Sequence, residues 1–269
     1  MQLALNYSPP AVQLVQSGQI HINYFKTPDW EWIIREAQNI RPVAVHFTLE
    51  AGNNRLGQVD WNRLDQLAQI TGTPYINLHL DSKQSYFPWL SVDTTHKSDI
   101  DAVLKVILSD VMLFVDRFGP DRIIIENSPY HADRGNTLRL CVEPDIITRV
   151  VEETGCGLLL DISHAVITAK QLGINPYEYL SRLPVNKIKE LHFAGIHHII
   201  GRWVDHLSIL KRDWPWLDWV LSRIQSSEWH TPWLLAFEYG GVGPEFEWRC
   251  DPKILLEQIP KLYERVKRI

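Results

Sequence analysis

Acidic and imidazole side chains recur in this sequence at the ends of short apolar runs that have the composition of β-strands. The runs are "VAVHF" with His46, "YINLHLD" with His79, "RIIIEN" with Glu126, "GLLLDISH" with Asp161 and His164, "IKELHFAG" with His192 and "WLLAFEYGG" with Glu238. Imidazole nitrogens and carboxylate oxygens, with no thiolate at these positions, are the donors of zinc, manganese or iron sites. The pattern therefore predicts a metal site whose ligands are spread over the whole chain.

The segments that must position these side chains alternate between strand and helix. Strand-like apolar runs lie near 2–6, 20–25, 43–47, 75–80, 122–126, 157–161, 188–193 and 233–238. Helical apolar spacing occurs near 9–17, 29–39, 60–71, 99–118, 142–154, 164–181, 214–226 and 252–267. Eight strand and helix repeats predict an α/β fold, a (β/α)8 TIM barrel, formed by one domain over residues 1–269. Because the strands of a barrel are parallel, their carboxyl ends open onto one face, where we expect the acids and histidines to meet.

The longest irregular stretches follow the strand-end residues. They fall at 81–98, 127–141 and 195–213. Long loops on the face that carries the strand ends are typical of substrate binding rather than of packing.

Glu126, Asp161 and His164 are the strongest ligand candidates. Glu126 follows three isoleucines, and a carboxylate in such a place is costly to bury unless it is paired or binds a metal. Asp161 follows three leucines, and its alternative role is the N-cap of the helix that begins near His164. Because "LLLDISH" places His164 one turn after Asp161, we interpret both residues as ligands.

Four further strand-end residues have structural alternatives. His79 and His192 are each flanked by apolar residues, as a hydrogen-bonded core histidine would be, but they recur at matching strand ends. For Glu238 the structural alternative is an ion pair with a neighbouring Arg or Lys. For His46 it is a position in the barrel interior, with the ring hydrogen-bonded to the backbone. The matching positions favour the metal-binding interpretation for His79, His192 and Glu238, whereas His46 is the weaker candidate on its residues alone.

Asp205 and His206 are adjacent in the sequence. Neighbouring side chains of a regular strand point to opposite faces, so both residues can be ligands only if the segment is a loop. His197 and His198 lie in the same stretch and are equally compatible with solvated loop positions.

Composition narrows the class of protein. The net charge of -5 supplies no basic field for nucleic acid, and no stretch approaches the roughly 20 apolar residues that cross a membrane. The amino terminus lacks a secretory signal, and three cysteines show no metal-type spacing. We expect a soluble, cytoplasmic protein in a reducing compartment, with neither a membrane nor a nucleic acid as its main partner.

The ordered series "AVHFTLEAGN", "NLHLD", "IIIENSPY", "LLLDISHAVITA", "LHFAG", "VDH" and "LLAFEYGG" resembles the multinuclear non-heme iron-dependent oxidases. This barrel family includes the iron enzyme of methanobactin synthesis and is itself akin to xylose isomerase-like TIM barrels. The resemblance runs from about residue 40 to 240. It implies two or three irons at the barrel mouth and ligand roles for His46, His79, Glu126, Asp161, His192 and Glu238, and also for Asp205 and His206.

The chain departs from the family pattern in three places. His164 stands where the family has an asparagine, and a histidine there would remain a ligand while changing the metal preference. Ile196 separates "HFAG" from His197, and the later Asp-x-His of the family is shortened to Asp205 and His206. One metal is thus more firmly implied than three.

The resemblance implies an iron oxidase that acts on cysteine-containing segments of ribosomally made precursor peptides, presented by a partner protein. A xylose isomerase-like sugar isomerase or epimerase is the alternative, with one Mn, Zn or Mg ion bound by Glu126, Asp161, His192 and Glu238 and a small-molecule substrate. Metal-dependent phosphodiester cleavage and a non-catalytic binding barrel are the remaining alternatives.

Overall fold

Strands and helices alternate along the chain. The computed structural model describes residues 1–131, 137–244 and 246–269. The strands are β1 Gln2–Asn6, β2 Tyr24–Pro28, β3 Val43–His46, β4 Glu50–Ala51, β5 Ile76–Leu80, β6 Ile123–Asn127, β7 Gly157–Asp161, β8 Ile188–Phe193, β9 Gly195–Ile199, β10 Arg202–Leu207 and β11 Leu234–Phe237. The α-helices are α1 Pro9–Gln16, α2 Glu31–Gln38, α3 Trp61–Thr71, α4 Lys97–Phe118, α5 Pro144–Thr154, α6 Ile162–Leu172, α7 Pro176–Ser181, α8 Trp214–Gln225 and α9 Pro252–Val266. Within the described residues, none of these helices has the length and apolar composition needed to cross a membrane.

The chain divides into two compact units, each built on parallel strands. The first unit contains Met1–His46, Asp65–Thr73 and Lys189–Ile269. Its parallel strands pair in the order β3, β2, β1, β11 and β8. The second unit contains Phe47–Leu64 and Pro74–Ile188, with parallel strands in the order β4, β5, β6 and β7.

Strands β6 and β7 of the second unit are buried along their whole length. Every residue of β6 and of β7 is buried. Parallel strands covered on both faces have continuous apolar runs, which explains "III" and "LLL" in these two segments. The same burial encloses the carboxylates of Glu126 and Asp161, with 0% and 2% of each residue exposed.

Most element positions agree with the sequence pattern, and β2 is an exception. The predicted strands 2–6, 157–161 and 188–193 coincide with β1, β7 and β8. The predicted strand 20–25 is wrong at its start, because β2 begins at Tyr24. Ile20 and Ile22 are buried ahead of the strand, and Asn23 uses its side-chain Oδ1 to accept a hydrogen bond from the backbone N–H of Leu3. The apolar character of Ile20 and Ile22 therefore reflects their burial in the connection before β2.

The predicted helix 164–181 is also wrong, because it is two helices. Gly173 lies in the left-handed conformation with φ of 67° and ends α6. Asn175 then begins α7 by accepting a hydrogen bond from the backbone N–H of Tyr177, with Pro176 at the first helical position. The glycine and proline three residues apart were the signal for the break.

The predicted irregular stretch 195–213 contains an antiparallel hairpin of β9 and β10 instead. The buried carboxylate of Asp213 accepts hydrogen bonds from the backbone N–H groups of Ile196 and Leu210, which ties the base of the hairpin to the start of α8. A Cβ atom at Gly195 would lie 1.8 Å from the carbonyl oxygen of Ser208, so the two arms approach as only glycine permits. In the predicted loop 127–141, residues 132–136 lie outside the described residues.

Candidate metal centre

The second unit holds a group of strand-end side chains around the buried carboxylate of Glu126. His79 is the partner of Glu126 in the register of β5 and β6, and its Nε2 lies 3.2 Å from Oε2 of Glu126. Nδ1 of His164 lies 3.7 Å from Oε1 of the same carboxylate. Glu126, Asp161 and His164 each offer one ligand atom, and the three atoms lie within 4.8 Å of one another. We name these four residues, His79, Glu126, Asp161 and His164, the Glu126 cluster.

Asp161 serves as a helix cap and also faces this cluster. Its Oδ1 accepts a hydrogen bond of 2.7 Å from the backbone N–H of His164, which caps α6. Its Oδ2 lies 3.7 Å from Nε2 of His164. Oδ1 is therefore occupied by the cap, and Oδ2 is the oxygen that would be left for a metal.

Asn127 holds the Glu126 cluster in place, and sequence reasoning missed it. Its amide exchanges two hydrogen bonds of 2.9 Å with the backbone N–H and carbonyl of Asp161. Its backbone oxygen lies 2.9 Å from Nδ1 of His164. Because a carbonyl only accepts, a neutral His164 ring carries its hydrogen on Nδ1 and its lone pair on Nε2, as in metal-binding histidines oriented by a backbone carbonyl. The signal was an amide directly after the strand-end acid in "IIIEN".

The first unit holds a second group around Glu238, which directly follows β11. Oε1 of Glu238 lies 3.0 Å from Nδ1 of His192 and 3.7 Å from Nδ1 of His46. Oε2 of Glu238 lies 3.7 Å from Nε2 of His206. The rings of His46 and His192 pack edge to face with centroids 5.2 Å apart. We name His46, His192, Asp205, His206 and Glu238 the Glu238 cluster.

The surroundings of Glu238 favour its charged form. Burial by itself raises the pKa of this carboxyl, but the imidazoles of His192, His206 and His46 together hold the pKa well below its usual range. A buried carboxylate surrounded by three imidazoles is a set of nitrogen and oxygen donors that suits a transition metal.

Asp205 and His206 reach this cluster from a strand that is not regular. The register of β10 shifts between Val204 and Leu207, and His206 has φ of 57°, in the left-handed region. Such a bulge breaks the alternation of side chains and often lies next to functional sites. Oδ1 of Asp205 lies 3.9 Å from Nε2 of His206. Both residues were expected to act together only in a loop, and the bulge instead interrupts the alternation of side chains inside a hairpin.

A buried ion pair behind His192 was missed by the sequence argument. Lys26 on β2 contacts Oε1 of Glu190 on β8, and each side chain is at most 3% exposed. The same oxygen lies 2.8 Å from Nε2 of His192. Burial raises the pKa of the Glu190 carboxyl, but the Lys26 ammonium and His192 lower it by more, to about 2. The signal was the spacing in "KELHF", because residues two apart in a strand share a face.

All nine predicted ligands therefore lie in one of the two clusters. His197 does not belong to them, since its Nε2 donates to the carbonyl of Ser208, and His198 packs against Trp203. Among the described residues, no group with metal-ligand spacing includes a cysteine. The donors fit a metal that prefers nitrogen and oxygen ligands. The metal-binding roles, and the convergence of every strand end on one face, stay predictions.

Solved structures define the class of the fold. A D-tagatose 3-epimerase-like protein superposes with a TM-score of 0.59 at 14% identity, covering 99% of this chain and 98% of that chain. A xylose isomerase-like TIM barrel/4-hydroxyphenylpyruvate dioxygenase fusion protein superposes with a TM-score of 0.53 at 13% identity, covering 100% of this chain and 44% of that chain. The fold is α/β, that of a xylose isomerase-like TIM barrel, and the prediction from alternating elements is confirmed.

Sequence comparison defines the family within that class. The model of the family described as RiPP precursor modification enzyme MbnB/TglH/ChrH matches residues 51–228. A UPF0276 protein of Acaryochloris marina is 29% identical over 219 residues, covering 78% of this chain and 71% of that protein. A UPF0276 protein of Caulobacter vibrioides is 26% identical over 173 residues, covering 60% of this chain and 56% of that protein. The chain belongs to the MbnB/TglH/ChrH family of RiPP precursor modification enzymes, which confirms the resemblance seen in the sequence.

Proposed function

We propose that this chain is a non-heme iron oxidase that acts on a cysteine-containing segment of a ribosomally made precursor peptide, or on a small thiol substrate. Membership of a family of precursor-modifying enzymes supports the substrate class. The observation that carries the metal assignment is the pair of clusters in which imidazoles surround a buried carboxylate. A partner protein that presents the peptide remains part of the proposal.

Each cluster would hold iron through its own residues. In the second unit the ligands would come from Glu126, Asp161 and His164, with His79 beside them. In the first unit they would come from Glu238 and the imidazoles around it. Ferrous iron, when bound, supplies a centre that accepts a thiolate and dioxygen at open positions.

The protein side chains divide into buried ones that hold charge and partly exposed ones that face the substrate. Glu126 and His192 are completely buried, so water does not compete for their donor atoms. The side chains of His79, His46 and His206 are 26%, 20% and 24% exposed. A substrate thiol would approach each cluster from these imidazoles, while the buried carboxylates keep the negative charge that retains a cation.

Metal analysis of variants tests the assignment. We expect protein purified without chelator to contain about two irons per chain, one in each cluster, and to show a ferric colour that ascorbate bleaches. Glu126→Gln and Glu238→Gln preserve side-chain size but remove the charge at the centre of one cluster, so each should lose about one iron per chain. The control is Glu153→Gln, at an exposed ion pair with Arg149. Full iron occupancy in both cluster variants would contradict the proposal.

Activity is tested with a precursor peptide that contains cysteine. We expect oxygen consumption and a mass change at the cysteine, and neither with a peptide in which serine replaces that cysteine. Equal oxygen consumption with both peptides would refute the thiol requirement.

A sugar epimerase is the second candidate, favoured by the fold shared with the D-tagatose 3-epimerase-like protein. In that case a single Mn2+ would polarise a carbonyl while carboxylates move protons. Incubation of the manganese-loaded protein with ketohexoses in deuterated water without oxygen tests it. Deuterium in the sugar would favour the epimerase, and its absence together with peptide oxidation in air would favour the oxidase.

A further inference from the structure

We propose that Lys26 and Glu190 form a positioning pair that keeps the hydrogen of His192 on Nε2 and presents Nδ1 to Glu238, and thereby selects the nitrogen of His192 that binds metal. The inference rests on the proposed function, because it takes His192 to be a metal ligand. It adds a role for two residues that lie outside the ligand set.

The pair contacts His192 through Glu190, which lies on the same strand. Glu190 and His192 are two residues apart on β8 and share one face. Oε1 of Glu190 lies 2.8 Å from Nε2 of His192 and also contacts Nζ of Lys26 on the other side. Lys26, Glu190 and His192 are 2%, 2% and 0% exposed, so water cannot replace either contact.

The chemistry of these atoms decides where the imidazole hydrogen lies. An ammonium only donates, so the Glu190 oxygen that contacts Lys26 acts as an acceptor. His192 must then donate to that oxygen from Nε2, which leaves Nδ1 with the lone pair when the imidazole is neutral. An outer carboxylate that binds one ring nitrogen is the usual device that orients a metal-binding histidine.

The other side of the ring shows what Nδ1 faces. Oε1 of Glu238 lies 3.0 Å from Nδ1, and a carboxylate oxygen and an imidazole lone pair are both acceptors. In the metal-free chain a protonated ring satisfies this contact by donating from Nδ1, whereas a neutral ring would set two acceptors against each other. A metal ion that takes the place of the Nδ1 hydrogen would have Nδ1 of His192 and Oε1 of Glu238 as neighbouring ligands.

Stability alone does not account for the ion pair. Replacing a buried ion pair by apolar residues of similar size is often neutral or stabilising, so burial of Lys26 with Glu190 is weak grounds for a structural role. Lys26 balances the charge that Glu190 brings into the core, and Glu190 orients His192.

The first test uses the unaltered protein with zinc as the probe. Long-range 15N–1H NMR of the histidines in the zinc-loaded chain should show the hydrogen of His192 on Nε2 and zinc on Nδ1. Zinc on Nε2 would overturn the inference but leave the proposed function intact. Failure of the protein to bind zinc or iron at all would overturn both.

The second test compares two double variants that remove both charges, so that neither leaves a lone buried charge. Lys26→Met with Glu190→Gln keeps an amide oxygen that can accept from Nε2, whereas Lys26→Met with Glu190→Leu has no acceptor. We expect the glutamine variant to retain nearly native zinc affinity in chelator competition, and the leucine variant to bind about 10- to 100-fold more weakly. Equal affinities in two variants with the same melting temperature would overturn the proposal. If the leucine variant fails to fold, the NMR result on the unaltered protein decides.

Discussion

Replacing Asp161 with asparagine separates the two roles that the structure gives this carboxylate. Oδ1 caps α6 through the backbone N–H of His164 at 2.7 Å, whereas Oδ2 lies 3.7 Å from Nε2 of His164 in the Glu126 cluster. Asparagine keeps an oxygen for the cap but brings no charge to the metal. Because asparagine and aspartate are about equal as N-caps, we expect the free energy of unfolding of the metal-free protein to change by at most about 0.5 kcal/mol.

Alanine at the same position removes the cap as well. Loss of an N-cap costs about 1 kcal/mol, which lowers the melting temperature of a chain of this size by about 2–4 °C. Both substitutions remove the negative charge of the carboxylate that offers one of the three ligand atoms within 4.8 Å of one another around Glu126. We expect each to weaken metal binding by about 100-fold or more, because substitutions of residues that only orient a ligand already cost about 10- to 100-fold.

The matched control is Asp251, which caps α9 by accepting a hydrogen bond of 2.8 Å from the backbone N–H of Lys253. Asp251→Ala should lower the melting temperature of the metal-free protein as Asp161→Ala does, but leave zinc affinity unchanged in chelator competition. Native affinity in Asp161→Asn would refute the reasoning and leave Asp161 with the cap alone.

Two further predictions concern the β9–β10 hairpin and the turn that follows β4. Gly195→Ala places a Cβ atom 1.8 Å from the carbonyl oxygen of Ser208, so it should destabilise the hairpin by about 1–3 kcal/mol and raise amide hydrogen exchange in β9 and β10; unchanged exchange would contradict this account. Burial raises the pKa of Asp110, whose carboxylate accepts hydrogen bonds from the backbone N–H groups of Gly52 and Asn54. A raised folded-state pKa means that the stabilisation from Asp110 is complete below the unfolded value of about 3.9 and is lost as the pH rises through the folded value. Asp110→Asn keeps one oxygen for both donors, so in urea unfolding the variant should gain stability relative to the native protein as the pH rises above about 4, and a constant difference would refute the assignment.

The sequence by itself determined the alternation of elements and the positions of the strand-end donors. Apolar runs of strand length and helical spacing are local properties, and β1, β7 and β8 lie where these patterns predict. The acid or histidine at the end of a run is visible for the same reason, because a charge beside buried aliphatic residues conflicts with its surroundings. Glu126, Asp161, His192 and Glu238 were found in this way.

Only the tertiary structure decided which donors are neighbours and what holds them. The contact of Lys26 with Glu190 depends on strands that are far apart in the sequence, so no local pattern reports it. The bulge that brings His206 to Glu238, with Asp205 beside His206, has a left-handed backbone at His206, a conformation that side chains other than glycine rarely adopt. Periodicity records which side chains are buried, whereas the pairing of distant strands sets the distances between donor atoms on which metal binding depends.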